Sequence, residues 1–180
     1  MTGRRGFSLI ELMVVLAIAA VLLLAAAPNF ATLLRGERLR TGSGELFGAI
    51  GLARAQALAR GHTVIVTPAD GARSDWSAGW LVFADRDGDG RPGPDDEIIA
   101  EHGPLGPGIA VEFAFTDRTP PWYIAYNGAG RSCGDTNPAA AHWGTLSLRN
   151  GGLVRRITIN MLGRARLCDP ARDASCAPPS

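Results

Sequence analysis

The sequence predicts an α+β protein, one long N-terminal helix followed by an antiparallel β-sheet head packed against it. Three observations lead there. An apolar run fills residues 7 to 27, and a stripe of helical period follows it up to Arg60. Beyond Gly61 the chain breaks into short β-branched and aromatic segments separated by Gly, Pro, Asp and Asn.

The first element is apolar from Phe7 to Ala27 except for Ser8 and Glu11. That length matches the roughly 20 residues a helix needs to cross about 30 Å of hydrocarbon. Arg4 and Arg5 precede it, so the positive-inside rule leaves the N-terminus in the cytoplasm and the rest outside. A secretory signal peptide also begins with basic residues and an apolar core, and Ala25-Ala26-Ala27 would suit its cleavage site. Against it, the apolar run is longer than a typical signal core and a carboxylate lies inside it.

Residues 28–60 continue as an amphipathic helix. Leu39, Leu46, Ile50, Ala53 and Ala57 recur at helical spacing, while the arginines of this stretch mostly lie off that stripe. Five glycines, Gly36, Gly42, Gly44, Gly48 and Gly51, weaken the helix by about 1 kcal/mol each relative to Ala and imply bending or close packing. Gly61 is the expected stop. In 61–180, the segments HTVIVT, GWLVFA, EIIAE, IAVEFAF, WYIAY, TLSLR and LVRRITIN read as strands.

The formal net charge is only +1, so total charge implies neither a nucleic acid nor a membrane surface as partner. Its distribution is uneven. All 18 basic residues are arginine; nine acids against three arginines lie between Asp70 and Glu101, and five arginines with no acid lie between Trp143 and Cys168. One end of the head is therefore electropositive. The three cysteines, Cys133, Cys168 and Cys176, suggest one disulfide and one thiol left over. All three pairings are open, and Cys133 with Cys168 or Cys176 is expected because it would pin the tail.

The stretch RRGFSLIELMVVLAIAAVLLLAAAPNF resembles the N-terminus of a type IV prepilin or type II secretion pseudopilin. The resemblance implies a leader, 1–6, that a prepilin peptidase removes by cutting after Gly6. Phe7 becomes the N-methylated first residue, Glu11 the fifth, and Pro28 the helix-kinking proline. A carboxylate in the bilayer costs about 2.5–3.5 kcal/mol on insertion scales, so it is expected to be paired. Cleavage supplies a partner, the α-amino cation of Phe7. In a bundle of such helices Glu11 would neutralise the amine of a neighbouring subunit and set axial register, since any other stagger leaves both charges unpaired. The alternative is a glutamate near the interface that reaches water.

GWLVFADRDGDGRPGPDDEIIAE, with YNGAGRS and LGRARLC, is similar to the corresponding segments of the GspH/FimT group of minor pilins and pseudopilins. This implies a pilin-like fold, with the first half of the helix in the inner membrane of a bacterium and the head in the periplasm until assembly with other pilins.

Two segments carry candidate chemistry. In DRDGDGRPGPDD, Asp85, Asp87 and Asp89 take positions 1, 3 and 5 of an EF-hand-like calcium loop, with Gly90 at position 6 and Asp96 at position 12. Calcium is the one cofactor expected; the alternative is an acidic hairpin loop in which Gly and Asp serve the turn. In GRAR, an extended chain places Arg164 and Arg166 on one face, with Arg156 from the preceding segment able to join them. Such a row could hold successive phosphates of double-stranded DNA without regard to sequence. The Gly-Arg-x-Arg element also resembles one associated with DNA capture by FimT-type minor pilins, for Arg164 and Arg166 only. The alternative is an edge strand whose arginines prevent aggregation.

An enzyme is not expected. His62, His102 and His142 are isolated from one another and from any nucleophile motif, and no P-loop or zinc spacing occurs. The expected function is a structural subunit of a type IV pilus or type II secretion filament, with DNA binding for uptake in the first case. The alternative is a GspH-type pseudopilin acting in protein export without DNA.

Overall fold

A computed structural model describes residues 8–117 and 119–176 of the protein, the side chains of 23–29 excepted. Its first element, α1, spans Leu9–Arg60 without a break. At 1.5 Å per residue this is a rod of roughly 78 Å. Gly61 ends it in the left-handed region (φ 74°), and the Gly61 N–H donates to the Ala57 carbonyl at 2.9 Å. A Cβ is disfavoured at that φ, which is why glycine follows the last turn.

Among the described residues nine strands follow: β1 Val64–Pro68, β2 Trp80–Ala84, β3 Glu97–His102, β4 Ile109–Phe115, β5 Ile124–Tyr126, β6 Ser132–Cys133, β7 Gly144–Asn150, β8 Leu153–Ile159 and β9 Ala165–Cys168. They form two antiparallel sheets where the sequence suggested one. The first has the order β3-β2-β1-β5-β6 and the second β4-β7-β8-β9. Each of the seven strand-like segments contains a strand. β6 and β9 come in addition, being too short to stand out in the sequence.

Both sheets close on the helix. Leu39, Leu46, Ile50, Ala53 and Ala57 are at most 2 % exposed and share one core with Val64, Val66, Val82 and Tyr126 of the first sheet and Leu146, Leu148 and Ile157 of the second. Each large aliphatic side chain so buried contributes about 1.5–3 kcal/mol by leaving water. Gly42 makes room here: a Cβ on it would stand 2.9 Å from Leu105 Cδ2. Gly44, Gly48 and Gly51 meet nothing within 4 Å, so close packing does not account for them.

The strand patterns follow the layers. β4 alternates, with Ile109, Val111, Phe113 and Phe115 facing inward and Ala110, Glu112 and Ala114 outward. Every residue of β1 is buried, because the first sheet is covered on both faces. Behind it, away from the helix, Ile65, Phe83, Tyr123, Ala125 and Cys133 form a second cluster. At the helix end, Arg60 makes a two-pronged ion pair with Glu97 of β3 (2.7 and 2.8 Å), which holds that carboxyl down at about 2.

Candidate functional site

Three regions bear on function: the free part of α1, the arginine edge of the second sheet, and the loop between β2 and β3. Every described side chain from Ser8 to Leu22 is exposed, and these residues are apolar apart from Ser8 and Glu11. Ser8 caps the helix, its hydroxyl accepting the Glu11 N–H at 3.3 Å. Ser-x-x-Glu is a helix-start pattern, and a carboxylate in the first turn is favoured by the helix dipole. Glu11 therefore has a local reason to sit in the first turn, readable in the sequence but missed by reasoning from charge alone. Gly6 and Phe7 lie outside the described residues, as does the Pro28 side chain. Among the described residues no helix is long and apolar enough to cross a membrane; the expected span, 7–27, extends beyond them at its start and, for side chains, at its end.

At the second sheet's edge, alternation along β9 turns Ala165 and Leu167 to the core and leaves Arg166 exposed, as is Arg164 just before it. Cross-strand pairing sets Arg156 opposite Cys168 and Thr158 opposite Arg166, so Arg156 shares the outward face. Gly163 turns the chain into β9 with φ 76°.

The tail then folds back onto this face. Cys168 and Cys176 form a disulfide, and Cys133 is a buried free thiol. This corrects the expected pairing of Cys133 with Cys168 or Cys176. Cys133 is on β6, the edge strand of the first sheet, and is buried in the second cluster, whereas Cys168 ends β9 of the other sheet only eight residues from Cys176, so the tail is pinned to its own strand. The same fold-back gives two arginines of the expected row partners within the chain. Arg166 is ion-paired with Asp173 and donates to Ser175 Oγ at 3.0 Å; Arg156 donates to the Cys176 carbonyl at 2.7 Å; Arg155 pairs with Asp169 at 2.6 Å. Ser175 and Arg166 together hold the Asp173 carboxyl below the usual range. Only Arg164, of the three expected DNA-binding arginines, has no side-chain partner among the described residues.

Between β2 and β3, Asp85, Asp87, Asp89 and Asp96 come together, each with a carboxylate oxygen within 4.8 Å of the others. Burial, and then the charges of Asp96 and Asp87, push the Asp85 carboxyl up.

The comparisons with known proteins cover most of the chain. A family model described as type II transport protein GspH matches residues 43–163, and one for the prokaryotic N-terminal methylation motif matches 1–27. The chain belongs to the GspH family. No curated protein matches it. Among solved structures, the GspH-family chain is similar to the type IV minor pilin FimU of Pseudomonas aeruginosa, at 14 % identity and a TM-score of 0.58 over 79 % of this chain and 93 % of that one. It is also similar to the minor pseudopilin EpsH of the Vibrio cholerae type 2 secretion system, at 16 % identity and 0.51 over 74 % and 98 %. At such identities the likeness establishes a shared fold, a helix packed on antiparallel sheets. With the methylation motif, membership of the GspH family makes this chain a pilin-type structural subunit and not an enzyme.

Proposed function

We propose that this GspH-family protein is held in the bacterial inner membrane by its N-terminal helix, with the head in the periplasm, until it is built into a type IV pilus or type II secretion filament. One observation carries the reading. The helix leaves the head with every described side chain from Ser8 to Leu22 exposed, and a lone carboxylate, Glu11, stands on that apolar rod. So much apolar surface is buried either by lipid or by neighbouring helices. In the filament Glu11 pairs with the α-amino group that cleavage after Gly6 creates on a neighbour's Phe7. The test is co-expression with a prepilin peptidase followed by mass measurement of the N-terminal peptide. A mature chain starting at methylated Phe7 supports the reading; an uncut chain, or one cut after Ala27, contradicts it.

Contact with DNA is the second reading, and the exposed, unpartnered Arg164 is the observation in its favour. Arg166 and Arg156 would first have to leave Asp173 and Cys176. A gel-shift of the full-length protein in detergent, at low salt, separates the two. Retarded duplex DNA that is released in Arg164→Ala favours capture for uptake, and unretarded DNA favours the purely structural subunit.

A further inference from the structure

The filament reading makes no use of the β2–β3 loop, whose four carboxylates converge within 4.8 Å. Like charges that close repel, and among the described residues no guanidinium bonds to any of the four. Arg86 is turned to Glu97, and Arg73 donates to the Gly90 carbonyl at 2.6 Å. Asp85 is the most telling member. It follows the last residue of β2, is 5 % exposed, and its N–H is bonded to the Thr63 carbonyl at 3.1 Å. Its Oδ1 accepts the Gly88 N–H at 2.9 Å; Oδ2 is buried and among the described residues has no hydrogen bond of normal geometry, the Gly90 N–H being the other backbone donor turned to this carboxyl. Native proteins rarely leave a buried carboxylate oxygen unsatisfied.

The geometry points to a calcium site formed by Asp85, Asp87, Asp89 and Asp96. A divalent cation would answer both problems at once, neutralising the cluster and giving Asp85 Oδ2 a ligand bond. The donors are all hard oxygens, which suits calcium and not zinc, and a glycine-bearing loop tolerates the long, irregular coordination that magnesium resists. Asp85 and Asp87, with Asp135, also line a cleft of about 360 Å³, which leaves room for water to complete the shell. The flanks are strands, so this is not an EF-hand, and affinity is modest for a local reason. Asp96 stands where a bidentate Glu would be, and its two oxygens already accept the Arg86 and Gly93 N–H groups, each at 2.9 Å. Bound calcium would fix the hairpin loop and, through Asp85, its junction with β1.

The test uses the full-length chain in detergent micelles, titrated with calcium chloride by calorimetry and melted with and without the metal. One saturable site with Kd on the order of 10⁻⁴ M and a raised Tm are expected, in the range of extracellular calcium modules. Asp87→Asn/Asp89→Asn, at two exposed positions, is expected to weaken binding at least about tenfold, while the calcium-free melting does not fall and rises as far as the charge repulsion is relieved. Folded wild-type protein giving no heat and no Tm shift at several millimolar calcium overturns the site. So does a response that the double variant retains, or that magnesium matches.

Discussion

Gly163 and Gly130 are in backbone contact: a Cβ on Gly163 would stand 2.3 Å from the Gly130 carbonyl oxygen and 3.1 Å from the Ser132 nitrogen. Arg54 of the helix clamps the same place, its Nε donating to the Gly130 carbonyl at 2.9 Å and its Nη2 to the Leu162 carbonyl at 3.4 Å. The turn before β6 on the first sheet, the turn before β9 on the second, and the helix therefore meet at one point. YNGAGRS and LGRARLC, far apart in the chain, meet here, and Gly163 owes its place to this contact, whereas Gly130 takes φ 69° beside Leu58 and Gly128 lies against the Gly61 backbone.

Gly163→Ala tests that junction. The new methyl has both a positive φ and backbone in its way, and the combined strain is expected to destabilise the head by about 2–3 kcal/mol. Denaturant melting of the full-length protein measures it, and Gly71→Ala, at a position with nothing within 4 Å and no positive φ, is the comparison. A loss under 0.5 kcal/mol at Gly163 (roughly the scatter of surface changes) would contradict the contact.

His142 predicts a pH dependence. It is 4 % exposed, stacks on Tyr123 with ring centroids 4.4 Å apart, and neither ring nitrogen has a hydrogen-bond partner. Burial lowers its pKa, against smaller opposing effects of Asp117 and Asp135. The unfolded chain takes up the proton near pH 6.5 while the native ring resists, so stability is full above that value and falls as pH drops below it. Melting between pH 7.5 and 5.5 is expected to show that slope in the wild type and to lose it in His142→Phe. Parallel profiles would place the protonation elsewhere.

The cysteines differ in accessibility. Burial pushes the Cys133 thiol up to about 12, so the native protein is expected to resist thiol reagents at pH 8 and to react once unfolded. Cys168 and Cys176 close a short loop of sequence separation 8. Opening it in Cys168→Ser/Cys176→Ser is expected to cost about 2–3 kcal/mol at most on a chain-entropy estimate. It should also release Arg156 and Arg166, seen as faster proteolysis after residue 168. An unchanged digestion pattern would mean that the ion pairs hold the tail unaided.

The sequence made the helix and its buried face legible because one period governs them: Leu39, Leu46, Ile50, Ala53 and Ala57 all point one way. It made the strands legible as segments but not their division into two sheets, since pairing such as β1 with β5 joins residues some sixty positions apart. The acidic loop was legible from its Asp spacing, because its members are near neighbours in the chain. At the arginine edge the row is legible but its partners are not, for the opposite reason. Its acids, Asp169 and Asp173, lie just past the basic segment and reach it only because the tail turns back. The Ser8 cap on Glu11 is also legible, from the Ser-x-x-Glu spacing, once the helix start and not only the charge is considered.

The central claim is that Glu11 makes the apolar helix an assembly element and not merely an anchor. The direct measurement is the amount of this protein in sheared filaments from cells carrying wild type or Glu11→Ala, with equal membrane levels of each. The account predicts wild-type chain in the filaments and the variant left in the membrane. Equal incorporation of the variant would contradict it.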